Sequence, residues 1–114
     1  LKDPMTSEAF IMRLKELFGV ECVQANEMLS RPIRRVAVCG GSGAFLLEAA
    51  VSAGADAFMT GEMGYHEFFG QVQIAVIGHY QTEQFTCEVF RDIIEPLGVH
   101  CIISEINTNP IIYK

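Results

Sequence analysis

The sequence predicts an α/β fold: a layered, mostly parallel sheet with helices on its faces. Two observations carry this. From Arg35 onward short apolar runs alternate with helical periods, the pattern of βαβ units, and half of the residues are hydrophobic with a mean hydropathy of +0.27, as a well-buried sheet requires. A length of 114 residues fits one domain with one core. The chain divides into a leading helix with a connecting segment, residues 1–32, and a βαβ core, residues 33–114.

The first element is a helix capped by Thr6, in which Phe10, Leu14 and Leu17, with Ile11 and Phe18 beside them, repeat with a 3.6-residue period. Gly19 stops it. An extended piece, Val20 to Val23, then leads into a polar loop from Gln24 to Pro32. The expected strands are Val36 to Cys39, Ala57 to Thr60, Ile74 to Ile77 and Val99 to Ser104. Helices are expected near Ala44 to Ala53, Tyr65 to Gln71 and Gln81 to Leu97, with Gly54 and Gly98 as stop signals and Pro96 in the last turn of the longest one. That helix is amphipathic through Phe85, Val89 and Ile93 together with Phe90, Ile94 and Leu97.

A net charge of -6 opposes binding to a polyanion, and the only local basic run is Arg31, Arg34 and Arg35, so nucleic acid is disfavoured as a partner. Asp56, Glu62 and Glu83 interrupt every apolar stretch that approaches membrane-spanning length. Cys22, Cys39, Cys87 and Cys101 contain no CxxC pair and sit in apolar contexts. They are expected to be reduced core thiols of a cytoplasmic protein, none joined in a disulfide. A start at Leu1 with no initiator methionine and no signal peptide is the expectation for a fragment or processed product.

In open α/β sheets, ligands bind beyond the carboxyl ends of the strands. Three loops there are conspicuous: Gly40-Gly41-Ser42-Gly43, Thr60-Gly61-Glu62 and Gly78-His79. The first has the glycines of a phosphate cradle but matches no dinucleotide or Walker fingerprint, because Leu46 stands where the third glycine belongs; a tight strand-to-helix turn explains it equally. His79 and Glu83 have i, i+4 spacing, and a helical side chain leans toward its own N-terminus, so the Glu83 carboxylate is directed back at the imidazole. A nitrogen and a carboxylate oxygen together suit zinc, iron, manganese or nickel. The bland alternative makes Glu83 a carboxylate favoured by a helix dipole and His79 a hydrogen-bonded loop residue. Glu62 and His66 repeat the spacing on the neighbouring loop, whereas His100 falls in a strand pattern and reads as structural.

The runs Val36-Ala-Val-Cys-Gly-Gly-Ser-Gly43, Gly54-Ala-Asp-Ala-Phe-Met-Thr-Gly-Glu62, Tyr65-His66, Gly78-His-Tyr-Gln-Thr-Glu83 and Asn107-Thr-Asn-Pro110 resemble the C-terminal part of the NIF-three-like family, often labelled GTP cyclohydrolase I type 2. The resemblance implies one half of a two-lobed fold, with a dinuclear centre of divalent transition metal ions between the halves and subunits joined in a ring-shaped hexamer. It implies that His79 and Glu83 are metal ligands. The family's remaining ligands, a histidine pair and an aspartate, belong to an N-terminal half that this chain lacks and that becomes its expected partner. Leu1 resembles a point just after a domain that some members insert between the halves. Ser42, Gly43, Thr60, Glu62 and His66 fall to the surrounding pocket without a ligand role. The implied activity is metal-dependent hydrolysis by the full-length parent; the alternative is a non-enzymatic metal-binding interaction or regulatory protein.

Overall fold

The computed structural model describes residues 1–114. They divide into two compact units, residues 1–83 and 84–114. The first holds a four-stranded sheet and every residue of the candidate site.

The first helix, α1 (Ser7–Phe18), begins where the Thr6 hydroxyl accepts a hydrogen bond from the Ala9 amide at 3.2 Å. It ends at Gly19, whose φ of 62° is left-handed. Phe10 and Leu14 are its buried stripe. The sheet has the order β1-β4-β3-β2 and comprises β1 (Gln24–Ala25), β2 (Val36–Cys39), β3 (Ala57–Thr60) and β4 (Gln73–Val76). The pairs β2–β3 and β3–β4 are parallel, and β1 runs antiparallel to β4, so the sheet is mostly parallel as expected.

Alternation along the central strands splits the core between two faces. Ala57, Met59, Ala75 and Ile77 pack with Phe10, Leu14 and Ile33 on one face. Phe58, Ile74 and Val76 pack on the other with Val72 and Ala55, and with Ala50 of α2 (Leu47–Ser52). Burial on both faces is why β3 and β4 read as continuous apolar runs.

The polar segment after α1 is part of the sheet layer. The expected extended piece at Val20 to Val23 forms no strand; pairing occurs just beyond it, at Gln24 and Ala25. Buried Gln73 donates to the Asn26 side-chain oxygen at 2.8 Å and accepts from the Leu29 amide at 3.2 Å, while Asn26 donates to the Val72 carbonyl at 2.8 Å. These bonds satisfy polar groups that would otherwise be stranded in the core and pin the segment to β4.

The expected strand Ile74 to Ile77 lies one residue earlier, at Gln73–Val76, and four further expected elements differ. The Ala44 to Ala53 helix opens with a 3-10 turn, Ala44–Leu46, before α2. The Tyr65 to Gln71 helix is a shorter 3-10 segment, Tyr65–Phe69. The single helix from Gln81 to Leu97 is replaced by α3 (His79–Glu83), α4 (Thr86–Ile94) and a 3-10 turn, Glu95–Leu97, which contains Pro96. Thr82 explains the short first piece: its hydroxyl bonds back to the carbonyls of Gly78 and His79 at 3.0 and 2.9 Å, a habit that loosens a helix. The strand at Val99 to Ser104 is absent; residues 98–114 have no helix or strand, and Ile102 is exposed. A strand needs a neighbour for its ladder, and the unit of residues 84–114 contains no other extended segment to supply one. All four cysteines are free, but none is fully buried: Cys22 and Cys87 are exposed, Cys101 is half-buried, and Cys39, also half-buried, packs against the Phe58 face of the core.

Candidate metal centre

The parallel register aligns Cys39 with Thr60 and Thr60 with Val76, so β2, β3 and β4 end together. The three glycine-containing loops therefore emerge along one edge. Thr60, the last residue of β3 and fully buried, ties the first loop down: its hydroxyl accepts from the Gly43 amide at 3.0 Å and donates to the Gly41 carbonyl at 3.1 Å. The same carbonyl accepts from the amides of Gly61 and Glu62. Thr82 does the matching work from α3, its hydroxyl accepting from the Gly41 amide at 3.0 Å. With the amides of Gly41 and Gly43 both engaged, this loop is a packed turn, and those two donors of a phosphate cradle are spent.

β4 passes through Ile77 and Gly78, whose φ of 121° suits glycine, into α3. His79 opens this helix and Glu83 closes it, so the two share a face one turn apart. The His79 Nε2 lies 3.1 Å from a Glu83 carboxylate oxygen. Glu83 is the last residue of α3 and stands three residues before the start of α4, at Thr86. The other ring nitrogen, Nδ1, lies 2.7 Å from a Glu62 carboxylate oxygen, and the second Glu62 oxygen accepts a hydrogen bond from the Ser42 hydroxyl. Ser42, Glu62, His79 and Glu83 thus form one chain of contacts across the ends of three strands.

Electrostatics follow from these contacts. Glu62 is held below the ordinary carboxylate range, first by the Ser42 hydroxyl and then by His79. His79 is raised above its ordinary 6.5, first by the hydrogen bond to Glu62, with the charges of Glu62 and Glu83 adding to it.

Gly41 forms one wall of the site. Its φ is 62°, and a Cβ built there would collide with the Glu83 carboxylate and stand 3.3 Å from His79 Nε2. The absence of a side chain keeps room beside both donor atoms. Two donors at about 2.0–2.2 Å from one tetrahedral ion stand about 3.3–3.6 Å apart, so the 3.1 Å between Nε2 and the carboxylate oxygen, a hydrogen-bond length, need open by only a few tenths of an ångström to share a divalent ion. The donor types fit as well. No set of three or more His, Cys, Asp or Glu side chains is arranged to hold an ion. The reason lies in the imidazole: its two nitrogens point apart, so Glu62 and Glu83 approach opposite sides of the ring and cannot converge on one ion.

Of the pocket residues expected from sequence, Ser42, Gly43, Thr60 and Glu62 come together with His79 and Glu83. His66 does not: it is exposed and packs edge-on against Tyr65 at 5.5 Å, and Glu62 pairs with His79 in its place. Sequence reasoning missed Thr82 and Gly41. A hydroxyl three residues after a candidate ligand, and a glycine at the end of the preceding parallel strand's loop, were the available signals.

A family profile described as Duf34/NIF3 (NGG1p interacting factor 3) matches residues 1–110. A GTP cyclohydrolase 1 type 2 homolog of Archaeoglobus fulgidus is 32% identical over 82 residues, covering 68% of this chain and 34% of the relative. The NIF3 homolog of Schizosaccharomyces pombe is 28% identical, with 97% of this chain and 44% of the relative covered. Among solved structures, a Bacillus cereus protein related to NIF3 superposes with a TM-score of 0.81 at 27% identity, over 100% of this chain and 34% of its own. A Staphylococcus aureus protein gives a TM-score of 0.83 at 26% identity, over 100% of this chain and 35% of its own. The chain therefore spans roughly a third to a half of the length of these relatives. With residues 1–110 of its 114 matched by the family profile and its fold shared with a protein related to NIF3, the chain belongs to the Duf34/NIF3 family.

Proposed function

We propose that this chain contributes His79 and Glu83 as ligands to a dinuclear metal centre whose other ligands come from a further part of the protein, and that the completed centre serves metal-dependent hydrolysis. The observation that carries the reading is the 3.1 Å approach of His79 Nε2 to the Glu83 carboxylate at the open ends of parallel strands. About half of each side chain is exposed, so a second lobe can reach the same ions.

Divalent ions bound there would supply Lewis-acid polarisation and water activation. The chain's own residues do the rest. His79 and Glu83 would hold the ion, Thr82 fastens their helix to the Gly41 backbone, and Gly41 leaves the approach clear. The cyclohydrolase label carried by the relatives makes a purine nucleotide the first substrate class to assay.

The test is elemental analysis of the full-length protein alongside its His79→Ala and Glu83→Ala variants, with GTP turnover measured on each. Both variants should lose metal and any metal-dependent turnover together. Unchanged metal content in both would show that these two residues are not ligands.

A further inference from the structure

We infer that Glu62 is a positioning residue for His79: its carboxylate, steadied by Ser42, fixes the imidazole with its proton on Nδ1, leaving Nε2 bare beside Glu83. The inference rests on the metal reading above and adds the residue that prepares the ligand.

An ionised carboxylate can only accept hydrogen bonds, and one stands at each ring nitrogen, Glu62 2.7 Å from Nδ1 and Glu83 3.1 Å from Nε2; the closer contact, to a carboxylate steadied by Ser42, claims the single proton of the neutral ring for Nδ1. A neutral imidazole has one proton, and placing it on Nδ1 makes Nε2 the lone-pair donor. Nε2 is the nitrogen that faces Glu83 and the space kept open by Gly41. Either tautomer of the metal-free ring leaves one lone pair facing a carboxylate; the alternative would do so at the shorter contact, Nδ1 against Glu62 at 2.7 Å, and would put the proton where the ion must sit, whereas a cation beside Nε2 relieves the 3.1 Å opposition of Nε2 and Glu83.

Glu62 can impose this choice because it is itself constrained. Its second oxygen accepts from Ser42, whose loop is anchored on either side by the Gly41–Thr82 and Gly43–Thr60 hydrogen bonds. Its own amide donates to the Gly41 carbonyl at 3.0 Å. The carboxylate is thus held at both ends by the neighbouring strand's loop. Carboxylate-histidine-metal arrangements of this kind raise ligand basicity and fix ring orientation.

The chain has three histidines, so the ring nitrogens of the 15N-histidine-labelled protein can be resolved by NMR and His79 assigned with a His79→Gln variant. Measured metal-free at alkaline pH, where the ring is neutral, wild-type His79 should carry its proton on Nδ1. Glu62→Ala should move the population to Nε2–H, and Glu62→Gln, which keeps a carbonyl acceptor, should fall between them. Titration with zinc, followed on the Nε2 resonance, should need roughly 10–100 times more metal in Glu62→Ala than in wild type. A wild-type His79 protonated on Nε2, or an Nδ1 proton that survives Glu62→Ala, would overturn the inference whether or not zinc binds. If the tautomer shifts as expected but zinc leaves Nε2 unmoved in wild type, tautomer control stands and the metal reading fails.

Discussion

His79 uses one nitrogen for two purposes, because the second proton of the imidazolium occupies the position on Nε2 that an ion would take. With its pKa raised above 6.5 by Glu62 and Glu83, the ring stays charged at a pH where a free histidine has begun to lose its proton. The sign for stability follows: the contribution is fully present below about pH 6.5, the unfolded value, and is lost as pH rises through the higher folded value. Metal uptake runs the other way, since it must displace that proton, so affinity should climb with pH across the same window. A proton NMR titration of the His79 ring should give a midpoint above 6.5 in wild type and a lower one in Glu62→Gln; an unchanged midpoint would contradict the assigned cause. Gly41 gives a second prediction at this scale. Gly41→Ala forces an L side chain into a φ of 62° and drives its Cβ into Glu83, so it should cost about 1–2 kcal/mol in denaturant unfolding and displace the two donors. The approach of Glu83 to His79 was legible in the sequence because i, i+4 spacing is local. The Glu62–His79 contact was not, because it depends on the register of two parallel strands 16 residues apart, Thr60 against Val76.

The elements are held by polar staples as much as by the two apolar faces. The Asp56 carboxylate, just before β3, accepts from the backbone amides of Arg34 and Arg35 at 2.9 and 3.0 Å and pairs with the Arg31 guanidinium at 3.0 Å. It thereby fixes the entry to β2 against β3 and the connecting segment against both. Its pKa is lowered below 3.8, first by the Arg35 amide and then by that of Arg34. This stability is therefore present above about pH 3.8 and disappears as pH falls through the lower folded value. Asp56→Ala should destabilise by about 2 kcal/mol near neutral pH and by much less in strong acid; equal losses at both would rule out the carboxylate's charge as the cause. Strands β2 and β3 were readable to the residue because glycine or charge punctuates both ends. The long helix was misread because its apolar period begins only at Phe85, so no periodic signal marked the break between Glu83 and Thr86, and periodicity carries no record of the backbone partners of the Thr82 hydroxyl. The Val99 to Ser104 strand failed for a different reason: β propensity describes a surface that fits a sheet, and the sheet has to be there.

For the whole molecule, the decisive quantity is the number of donors one chain can bring to one ion. His79 and Glu83 supply two, Glu62 faces away across the ring, and no third His, Cys, Asp or Glu joins them. A complete four-ligand zinc site binds with about 10–16 kcal/mol, so an even share for two ligands is roughly 5–8 kcal/mol, a Kd between roughly hundreds of micromolar and micromolar. The 114-residue chain should therefore lose zinc on dialysis, and calorimetry should find weak binding that His79→Ala abolishes. The chain spans only 34% to 44% of the length of two relatives, which leaves ample sequence elsewhere in such proteins for the other donors. Supplying that remainder, in one polypeptide or as a separate chain, should tighten binding by orders of magnitude, because each added ligand replaces a water without new ordering of His79 or Glu83. Nanomolar, stoichiometric zinc in the isolated chain would refute this count and point to a second copy of the chain, or to His66 and Glu62 rearranged, as the source of the missing ligands.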